Sequence, residues 1–290
     1  MPEKSGPLIR RVQERTKQLA GDAMLTEPKY RFSDIVLSKE AKAALKELLS
    51  LQKNKKLIFD QWGLGAVFPD RKSFTVNLYG PSGTGKTMTA HALAAKLGKK
   101  LIIADYSELE SKFVGETSKN IVRLFRFAEK HDAVLLFDEA DALLSRRVTA
   151  MFSATDAGMN QTRNVLLKIL DDYQGVVIFT TNFIQNFDQA FLRRISSHIR
   201  FEMPDREMRE RLWAHYIVPK FPVEGSRREV IVKLAEIPDV TGSDVSTTVL
   251  KTAARAAMKS TRKASYEDFA EELGKITGAR KAMKGFPGIL

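Results

Sequence analysis

Residues 80–87 form a glycine-rich octapeptide whose residue types and spacing suit phosphate binding. Glycine has no Cβ, so consecutive N–H groups of such a loop can turn inward around an anion. A β-prone run precedes the loop and an alanine-rich helical pattern follows it, as in a P-loop. We predict that the chain binds a nucleoside triphosphate with Mg²⁺ through Pro81, Ser82, Gly83, Thr84, Gly85, Lys86, Thr87 and Met88, the lysine reaching the β- and γ-phosphates and Thr87 ligating the metal.

Acidic side chains follow the most hydrophobic run of the sequence, 133–137. Such a run is typical of a buried strand of a parallel sheet, and a carboxylate at its open end is costly unless it has a function. We expect Asp138 to hold Mg²⁺ and Glu139 to polarise the attacking water. Asn182 follows the next buried run, 176–179, and can orient the same water from the other side.

Two adjacent arginines, Arg193 and Arg194, lie further along the chain. A guanidinium at the γ-phosphate can accelerate phosphoryl transfer by about 10³–10⁵ and can come from another subunit. An isolated Arg-Arg pair is otherwise typical of a solvated surface. The residues alone leave both interpretations open.

Strand and helix patterns alternate up to about residue 204, and only helical patterns follow from Arg206 onward. This order predicts an α/β fold, in which a P-loop NTPase parallel sheet flanked by helices is joined to a C-terminal α-helical lid domain. The polar stretch 146–161 is predicted to be a loop. The expected division is an N-terminal arm or linker (1–30), a nucleotide-binding α/β domain (31–204), and an α-helical lid domain with a tail (205–290).

Composition excludes several classes of protein. The chain has no cysteine, which rules out disulfides, thiolate zinc sites and a cysteine nucleophile. No apolar run approaches the ~20 residues that cross a bilayer, and a signal-peptide core is missing, so we predict a cytoplasmic protein without membrane association. We interpret the net charge of +12 as a basic solvated surface, which makes nucleic acid a less favoured partner than protein.

The order and spacing of these motifs resemble the AAA branch of the AAA+ ATPases, from about Phe32 to Leu273. The matching pieces are 80–87 (Walker A), 137–141 (Walker B), 181–182 (sensor 1) and 187–194 (second region of homology). The resemblance implies an ATP hydrolase that uses ATP and Mg²⁺. It also implies that Arg193 and Arg194 are arginine fingers completing a neighbour's active site, so that hydrolysis requires a ring, usually a homo-hexamer.

The same resemblance assigns residues to the base and the ribose. It places Asp34 and Ile35 near the adenine, and Gly242 and Ser243 of the lid near the base and ribose. The lid motif 241–244 lacks an obvious sensor 2 arginine, as in the mainstream of the AAA branch.

Residues 111–116 are similar to the first pore loop of that family. Phe113, flanked by Lys112 and Val114, would line a central channel, where an aromatic ring can wedge between side chains of an extended polypeptide. Met151 and Phe152 would form a second pore loop. The implied function is a hexameric ATPase that remodels or unfolds a protein substrate through its pore.

The substrate is expected to arrive through an adaptor or the ring's own pore face, because no substantial N-terminal recognition domain is evident. In size and architecture the chain is similar to small bacterial ATPases that remodel HORMA-domain proteins in antiphage operons, which would imply a HORMA-like signalling substrate and antiviral defence. The eukaryotic members of that group carry a lid arginine that Gly242-Ser243-Asp244 does not reproduce. Two alternatives stay open: a nucleic-acid-associated AAA+ ATPase (a loader or transposition regulator) and a monomeric P-loop kinase.

Overall fold

The computed structural model describes residues 25–68, 74–105, 116–145, 154–182 and 187–284. They group into two compact units. The first contains the described parts of Met1–Phe32, Ala44–Tyr79 and Thr87–Ile199, and the second those of Ser33–Ala43, Gly80–Lys86 and Arg200–Leu290. Each unit is therefore assembled from segments that are distant in sequence.

One six-stranded sheet runs through the fold, in the spatial order β1-β3-β4-β5-β2-β6. The strands are β1 (Leu25–Thr26), β2 (Phe74–Tyr79), β3 (Leu101–Asp105), β4 (Val134–Asp138), β5 (Val176–Thr181) and β6 (Ser197–Arg200). The pairs β3–β4, β4–β5 and β5–β2 are parallel, whereas the two-residue β1 pairs antiparallel with β3. The predicted α/β fold with a parallel sheet is confirmed.

Helices connect the strands and make up the C-terminal part of the chain. They are α1 (Lys39–Lys53), α2 (Leu64–Val67), α3 (Lys86–Leu97), α4 (Glu116–Lys130), α5 (Asp141–Leu144), α6 (Ala154–Asp172), α7 (Gln189–Arg194), α8 (Arg206–Tyr216), α9 (Arg227–Ala235), α10 (Gly242–Met258) and α11 (Tyr266–Lys284). A 3-10 turn covers Phe32–Asp34, and a π-helical turn covers Lys56–Gln61. In the described part of the chain, no helix combines the length and the apolar character needed to cross a membrane.

Aromatic packing fixes the two central strands of the first unit. Phe137 of β4 stacks on Phe179 of β5 with ring centroids 5.2 Å apart, and Phe125 of α4 lies 5.9 Å from Phe137. All three side chains are buried, and each contributes roughly 1.5–3 kcal/mol through burial. This apolar layer holds β4 and β5 side by side, so the polar residues at their carboxyl ends meet at one edge of the sheet.

The second unit has a helical core of its own. Trp213 of α8 and Phe269 of α11 are fully buried and meet edge to face, with ring centroids 6.2 Å apart. Leu234 of α9 and Val245 of α10 complete this core without any exposed surface. The helical patterns predicted from Arg206 onward therefore form a packed α-helical layer.

The predicted loop over 146–161 is wrong from Ala154 onward, where α6 begins. This part of α6 is polar and lacks a clear apolar face, so hydrophobic periodicity did not reveal it. A nearby buried side chain of α6 is a charged one. Arg163 is only 2% exposed, and its Nη2 donates hydrogen bonds to the carbonyl of Ala142 (2.8 Å) and to Oγ of Ser145 (2.7 Å).

The last helix was predicted to end at Leu273, but α11 continues to Lys284. Gly274 and Gly278 interrupt the helical pattern, yet neither has the positive φ that ends many helices, and α11 continues through both. Arg280, in the added turns, donates to the carboxylate of Asp244. This tertiary contact supports a segment that local propensity alone would not extend.

Candidate active site

The loop between β2 and α3 requires glycine at two positions. Gly80 has a φ of 141°, and a Cβ there would lie 1.9 Å from the carbonyl oxygen of Phe201. Gly83 has a φ of 77°, and a Cβ there would lie 2.8 Å from Oγ1 of Thr241. Both the backbone conformation and the close packing exclude larger residues. The loop is thus a tight turn that only glycine can form at these two positions.

Lys86 is buried and lies back across its own loop. Its Nζ donates to the carbonyl oxygens of Gly80 (2.7 Å) and Pro81 (3.0 Å). The hydroxyl of Thr84 donates to the same Pro81 carbonyl at 2.7 Å, while Ser82 is exposed. The ammonium group is therefore already positioned over the turn where a phosphate would bind.

Residues predicted to contact the nucleotide's base and ribose surround this loop within the second unit. The backbone N–H of Ser243 donates to the carbonyl of Gly83 at 3.2 Å. A Cβ at Gly242 would lie 3.4 Å from the same carbonyl oxygen, and one at Gly85 would lie 3.7 Å from Cγ2 of Ile35. The structure thus brings Ile35 and the start of α10 to the glycine-rich loop.

Asp34 and Met88, two further residues predicted to contact the nucleotide, are both half-buried. Asp34 ends the 3-10 turn and accepts a hydrogen bond from the hydroxyl of Ser33 at 3.0 Å. Met88 lies in the first turn of α3.

In the first unit, three oxygen-bearing side chains converge at the carboxyl end of β4. The hydroxyl of Thr87 donates to Oδ1 (2.9 Å) and Oδ2 (3.2 Å) of Asp138. The hydroxyl of Thr180, at the end of β5, also donates to Asp138. The parallel pairing of β4 with β5 brings these groups together. Two hydroxyls thus fix the orientation of one half-buried carboxylate.

Glu139 has an unusual backbone conformation for a residue other than glycine. Its φ is 52°, in the left-handed region, and its side chain is exposed. Its backbone N–H donates to Oγ1 of Thr180 at 3.0 Å, and the next N–H, of Ala140, donates to the Thr180 carbonyl at 2.9 Å. A conformation of this kind costs on the order of 1 kcal/mol and persists only where neighbours hold it, often at functional sites.

Asn182 is held through its backbone. Its N–H donates to both carboxylate oxygens of Asp141, at 3.0 and 3.1 Å. Asp141 begins α5, just after the acidic pair Asp138 and Glu139, so the two polar strand ends are tied together. Sequence reasoning gave no role to Asp141 or to Thr180. The signal that could have revealed Thr180 is a hydroxyl at the end of a strand that pairs in parallel with β4.

The two arginines of α7 have different surroundings. Arg194 forms a bidentate ion pair with Asp171 of α6, with Nε and Nη2 donating at 2.7 and 2.9 Å, and its Nη1 donates to the carbonyl of Ala190 at 3.1 Å. Arg193 is exposed and makes no hydrogen bond or ion pair within the described residues. Of the two guanidinium groups, Arg193 is therefore the one available to another molecule.

The predicted pore residues lie outside the described residues. This applies to Lys112, Phe113 and Val114, and also to Met151 and Phe152.

Comparison with known proteins identifies the family. The sequence model of the ATPase family associated with various cellular activities (AAA) matches residues 76–203. Cell division protein C of Sulfolobus acidocaldarius is 30% identical over 271 residues, which cover 86% of this chain and 68% of that protein. The chain belongs to the AAA family. This AAA chain is an ATP hydrolase.

Other relatives of this AAA ATPase have names connected with the proteasome. A putative 26S proteasome regulatory subunit homolog of Methanocaldococcus jannaschii is 32% identical over 261 residues, 87% of this chain and 66% of that protein. A proteasome-activating nucleotidase of Saccharolobus solfataricus is 27% identical over 294 residues, 98% of this chain and 69% of that protein. The chain thus spans about two thirds of the length of these relatives.

The oxygen donors at the end of β4 fit Mg²⁺. Carboxylate and hydroxyl oxygens are the ligands that this hard cation prefers, and it usually binds through one or two carboxylates plus substrate phosphates. The convergence of Thr87 and Asp138 provides such a donor pair. No group of three or more His, Asp or Glu side chains that could hold a metal unaided occurs in the part of the chain that the structure describes. Bound Mg²⁺ would neutralise phosphate charge during hydrolysis.

Proposed function

We propose that this AAA ATPase acts as a homo-hexameric ring that remodels or unfolds protein substrates through a central pore in the cytoplasm. The single observation that carries the ring is the exposed guanidinium of Arg193, which has no partner among the described residues. Similarity to a proteasome-activating nucleotidase over 98% of this chain supports a protein substrate. We retain residues 31–204 as the nucleotide-binding domain and 205–290 as the lid.

The proposed hydrolysis uses the two groups of side chains described above. Lys86 and the loop N–H groups bind the phosphates, with Thr87 and Asp138 as the Mg²⁺ ligands. Glu139 takes a proton from the water that attacks the γ-phosphorus, the bond to the β–γ bridging oxygen breaks, and ADP leaves. Asn182 orients this water.

A comparison of Arg193 with another exposed arginine, Arg200, tests whether neighbouring subunits share an active site. We expect Arg193→Ala to lower kcat about 10³-fold or more, because a guanidinium that reaches the γ-phosphate acts in the transition state. Arg200→Ala is the matched control, since Arg200 is exposed and paired only with Glu202 at 3.3 Å among the described residues. Unchanged kcat in Arg193→Ala would contradict its role as a finger.

Loss of activity on substitution of Arg194 could come from its ion pair with Asp171 or from a direct part in catalysis, and two variants distinguish these causes. Arg194→Lys keeps a cation beside Asp171, whereas Arg194→Ala leaves that carboxylate without its bidentate partner. The test of sharing uses Arg193, and mixing inactive Arg193→Ala and Glu139→Gln subunits should restore part of the activity if active sites are shared between subunits. No recovery at any ratio would favour a monomeric enzyme.

The pore part of the proposal concerns Lys112, Phe113 and Val114, with Met151 and Phe152 as a second loop. Trapping with Glu139→Gln and ATP should retain the protein that occupies the channel, because binding persists without hydrolysis. The captured protein, or its adaptor, then serves as substrate. We expect Phe113→Ala to keep ATPase activity and lose remodelling. Normal remodelling by that variant would contradict threading.

The same trap distinguishes the narrower substrate proposal, a HORMA-like signalling protein in antiviral defence. Recovery of a protein of that class would support it, and recovery of unrelated proteins would contradict it. The net charge of +12 favours one further candidate, a nucleic-acid-associated ATPase. That candidate predicts ATPase activity stimulated by DNA or RNA, with affinity falling steeply as salt rises. A flat response would remove it.

A further inference from the structure

A cavity of about 660 Å³ lies within the first unit, lined by the segment 27–32 and by the last turns of α3 with the residues that follow it. Its volume falls in the range of about 300–1,000 Å³ that is usual for small-molecule sites. Four cations line it, Arg31, Lys96, Lys99 and Lys100, together with one carboxylate, Glu27. None of these residues has a part in the ATP hydrolysis proposed above.

Among the described residues that line the cavity, four cations accompany one carboxylate. Lys100 pairs with Glu27 at 2.8 Å, and Lys99 pairs with Asp132. Lys96 is exposed and has no hydrogen-bond or ion-pair partner among the described residues. Arg31 adds a fourth positive charge from the opposite segment. The described lining therefore carries more cationic side chains than carboxylates, and it does so in a concave space, where charge attracts anions most strongly.

Apolar surface completes the lining. Phe32 and Pro28 contribute it from one segment, and Ala92 and Ala95 contribute it from α3. A free inorganic anion would leave this surface in water. A ligand with an apolar body and a phosphate group would use both kinds of surface.

The wall that carries Arg31 is fixed in place. The backbone N–H of Lys29 donates to Nδ1 of His91 on α3 at 3.3 Å, and the ring of Tyr30 meets that imidazole edge to face at 5.7 Å. Leu25 of β1 pairs with Ile102 of β3. A site formed before the ligand arrives loses less conformational entropy on binding.

Lysines near the end of α3 have a simpler explanation, because cations stabilise the carboxyl end of a helix. That explanation covers Lys96 and its neighbours but not Arg31, which belongs to another segment. The first 24 residues are a poor occupant, since they contain five Lys and Arg against three Asp and Glu.

We propose that this cavity binds a small organic phosphate with two or more negative charges, at a site distinct from that of ATP. The proposal does not depend on the ring or the pore.

Pyridoxal 5′-phosphate is a suitable probe because it is an aromatic phosphate whose aldehyde forms an imine with a lysine amine and releases water. Borohydride then reduces the imine, and peptide mapping identifies the labelled lysines. The full chain is first saturated with Mg²⁺ and a non-hydrolysable ATP analogue, and labelling of Lys86 is scored separately. 5-Deoxypyridoxal is the matched control reagent, because it lacks the phosphate and has no hydroxyl that could close on the aldehyde as a hemiacetal.

We expect the phosphate form to label Lys96, Lys99 or Lys100 about tenfold faster than 5-deoxypyridoxal does, and pyrophosphate to protect these lysines. Arg31→Ala should remove most of that preference, because it deletes a charge that contacts the phosphate and not the aldehyde. Lys46→Ala, at an exposed position of α1, should leave the preference unchanged. Equal labelling by both reagents, or an unchanged preference in Arg31→Ala, would show merely accessible lysines and overturn the proposal.

Discussion

Thr180 illustrates how one hydroxyl group can serve two neighbours at the residue scale. It donates to the carboxylate of Asp138 and accepts the backbone N–H of Glu139 at 3.0 Å. The left-handed backbone of Glu139 therefore depends on a side chain from another strand. We propose that Thr180 is a positioning residue, which orients the carboxylate of Asp138 and the backbone of Glu139.

We predict that Thr180→Val lowers kcat about 10–100-fold, the usual range for partners that orient active-site ligands. The swap keeps the side-chain shape but leaves the Glu139 N–H without its acceptor. The Kd for ATP should change little, so steady-state kinetics and nucleotide binding are measured together. Thr180→Ser restores the hydroxyl and should recover most of the activity. Full activity in Thr180→Val would exclude the positioning role.

A second residue-scale prediction concerns Tyr173, whose hydroxyl is buried without a hydrogen-bond partner among the described residues. Burial, with Glu129 and Asp132 nearby, raises the pKa of Tyr173 to about 12, so the phenol stays neutral. An unpaired buried hydroxyl is unfavourable. Tyr173→Phe should therefore raise the free energy of unfolding by about 1 kcal/mol while keeping the edge-to-face contact with Phe125 at 4.9 Å. Urea denaturation measures this, and a clear loss of stability would contradict it.

At the scale of elements, α10 begins with a capping box. The hydroxyl of Thr241 accepts the N–H of Asp244 at 3.2 Å, and the carboxylate of Asp244 accepts the N–H of Thr241 at 2.8 Å. The same carboxylate accepts a hydrogen bond from Arg280 of α11. The start of α10, which carries Gly242 and Ser243, is thus fixed by its two capping hydrogen bonds and by the contact with Arg280.

We predict that Asp244→Ala destabilises the chain by about 2 kcal/mol, because it removes the cap and leaves the Arg280 guanidinium without that partner. Ser226→Ala is the matched control. Ser226 caps α9 through a longer contact with the N–H of Glu229, 3.4 Å, and should cost about 1 kcal/mol or less. Thermal unfolding of both variants tests this, and equal losses would show that the Asp244–Arg280 contact adds nothing.

The predictions of strands from the sequence were reliable where the buried side chains are apolar. The prediction failed at the start of α6, where a buried side chain is polar. The run 133–137 and the run 176–179 became β4 and β5 because their side chains fill the core on both faces of the sheet. The first turns of α6 were missed, since the nearby buried residue Arg163 is charged and is accommodated by hydrogen bonds. A pattern of hydrophobicity carries no signal for such contacts.

For the whole molecule, the buried His91 and the half-buried His198 predict a pH dependence of stability. Burial lowers the pKa of His91, assisted by Lys29 and opposed by Asp138, and burial lowers the pKa of His198 against a backbone contact with Leu192. Below the ordinary pKa of about 6.5 the unfolded chain therefore binds more protons than the folded chain. The free energy of unfolding should fall as the pH drops from about 7.5 to about 5.5.

Urea denaturation at the two pH values measures this fall. His198→Gln should reduce it, because the variant has no imidazole to protonate in the unfolded state. His215→Gln, at an exposed position, is the control and should leave the slope unchanged. A slope that does not respond to His198→Gln would assign the pH dependence to other groups.

The sequence by itself determined what is local. The glycine-rich loop could be recognised because its conformation depends on residues that follow one another along a single turn. The order of strands and helices was sufficient to predict the α/β fold.

Only the tertiary structure decided which distant residues meet. Thr180 lies beside Asp138 through the parallel pairing of β4 with β5, and Asp141 holds Asn182 across the same edge. Arg31 and Lys96 line the same cavity although they are more than sixty positions apart in the sequence. These contacts depend on how strands pair and helices pack, and linear spacing does not encode them because the chain must first fold to bring such residues together.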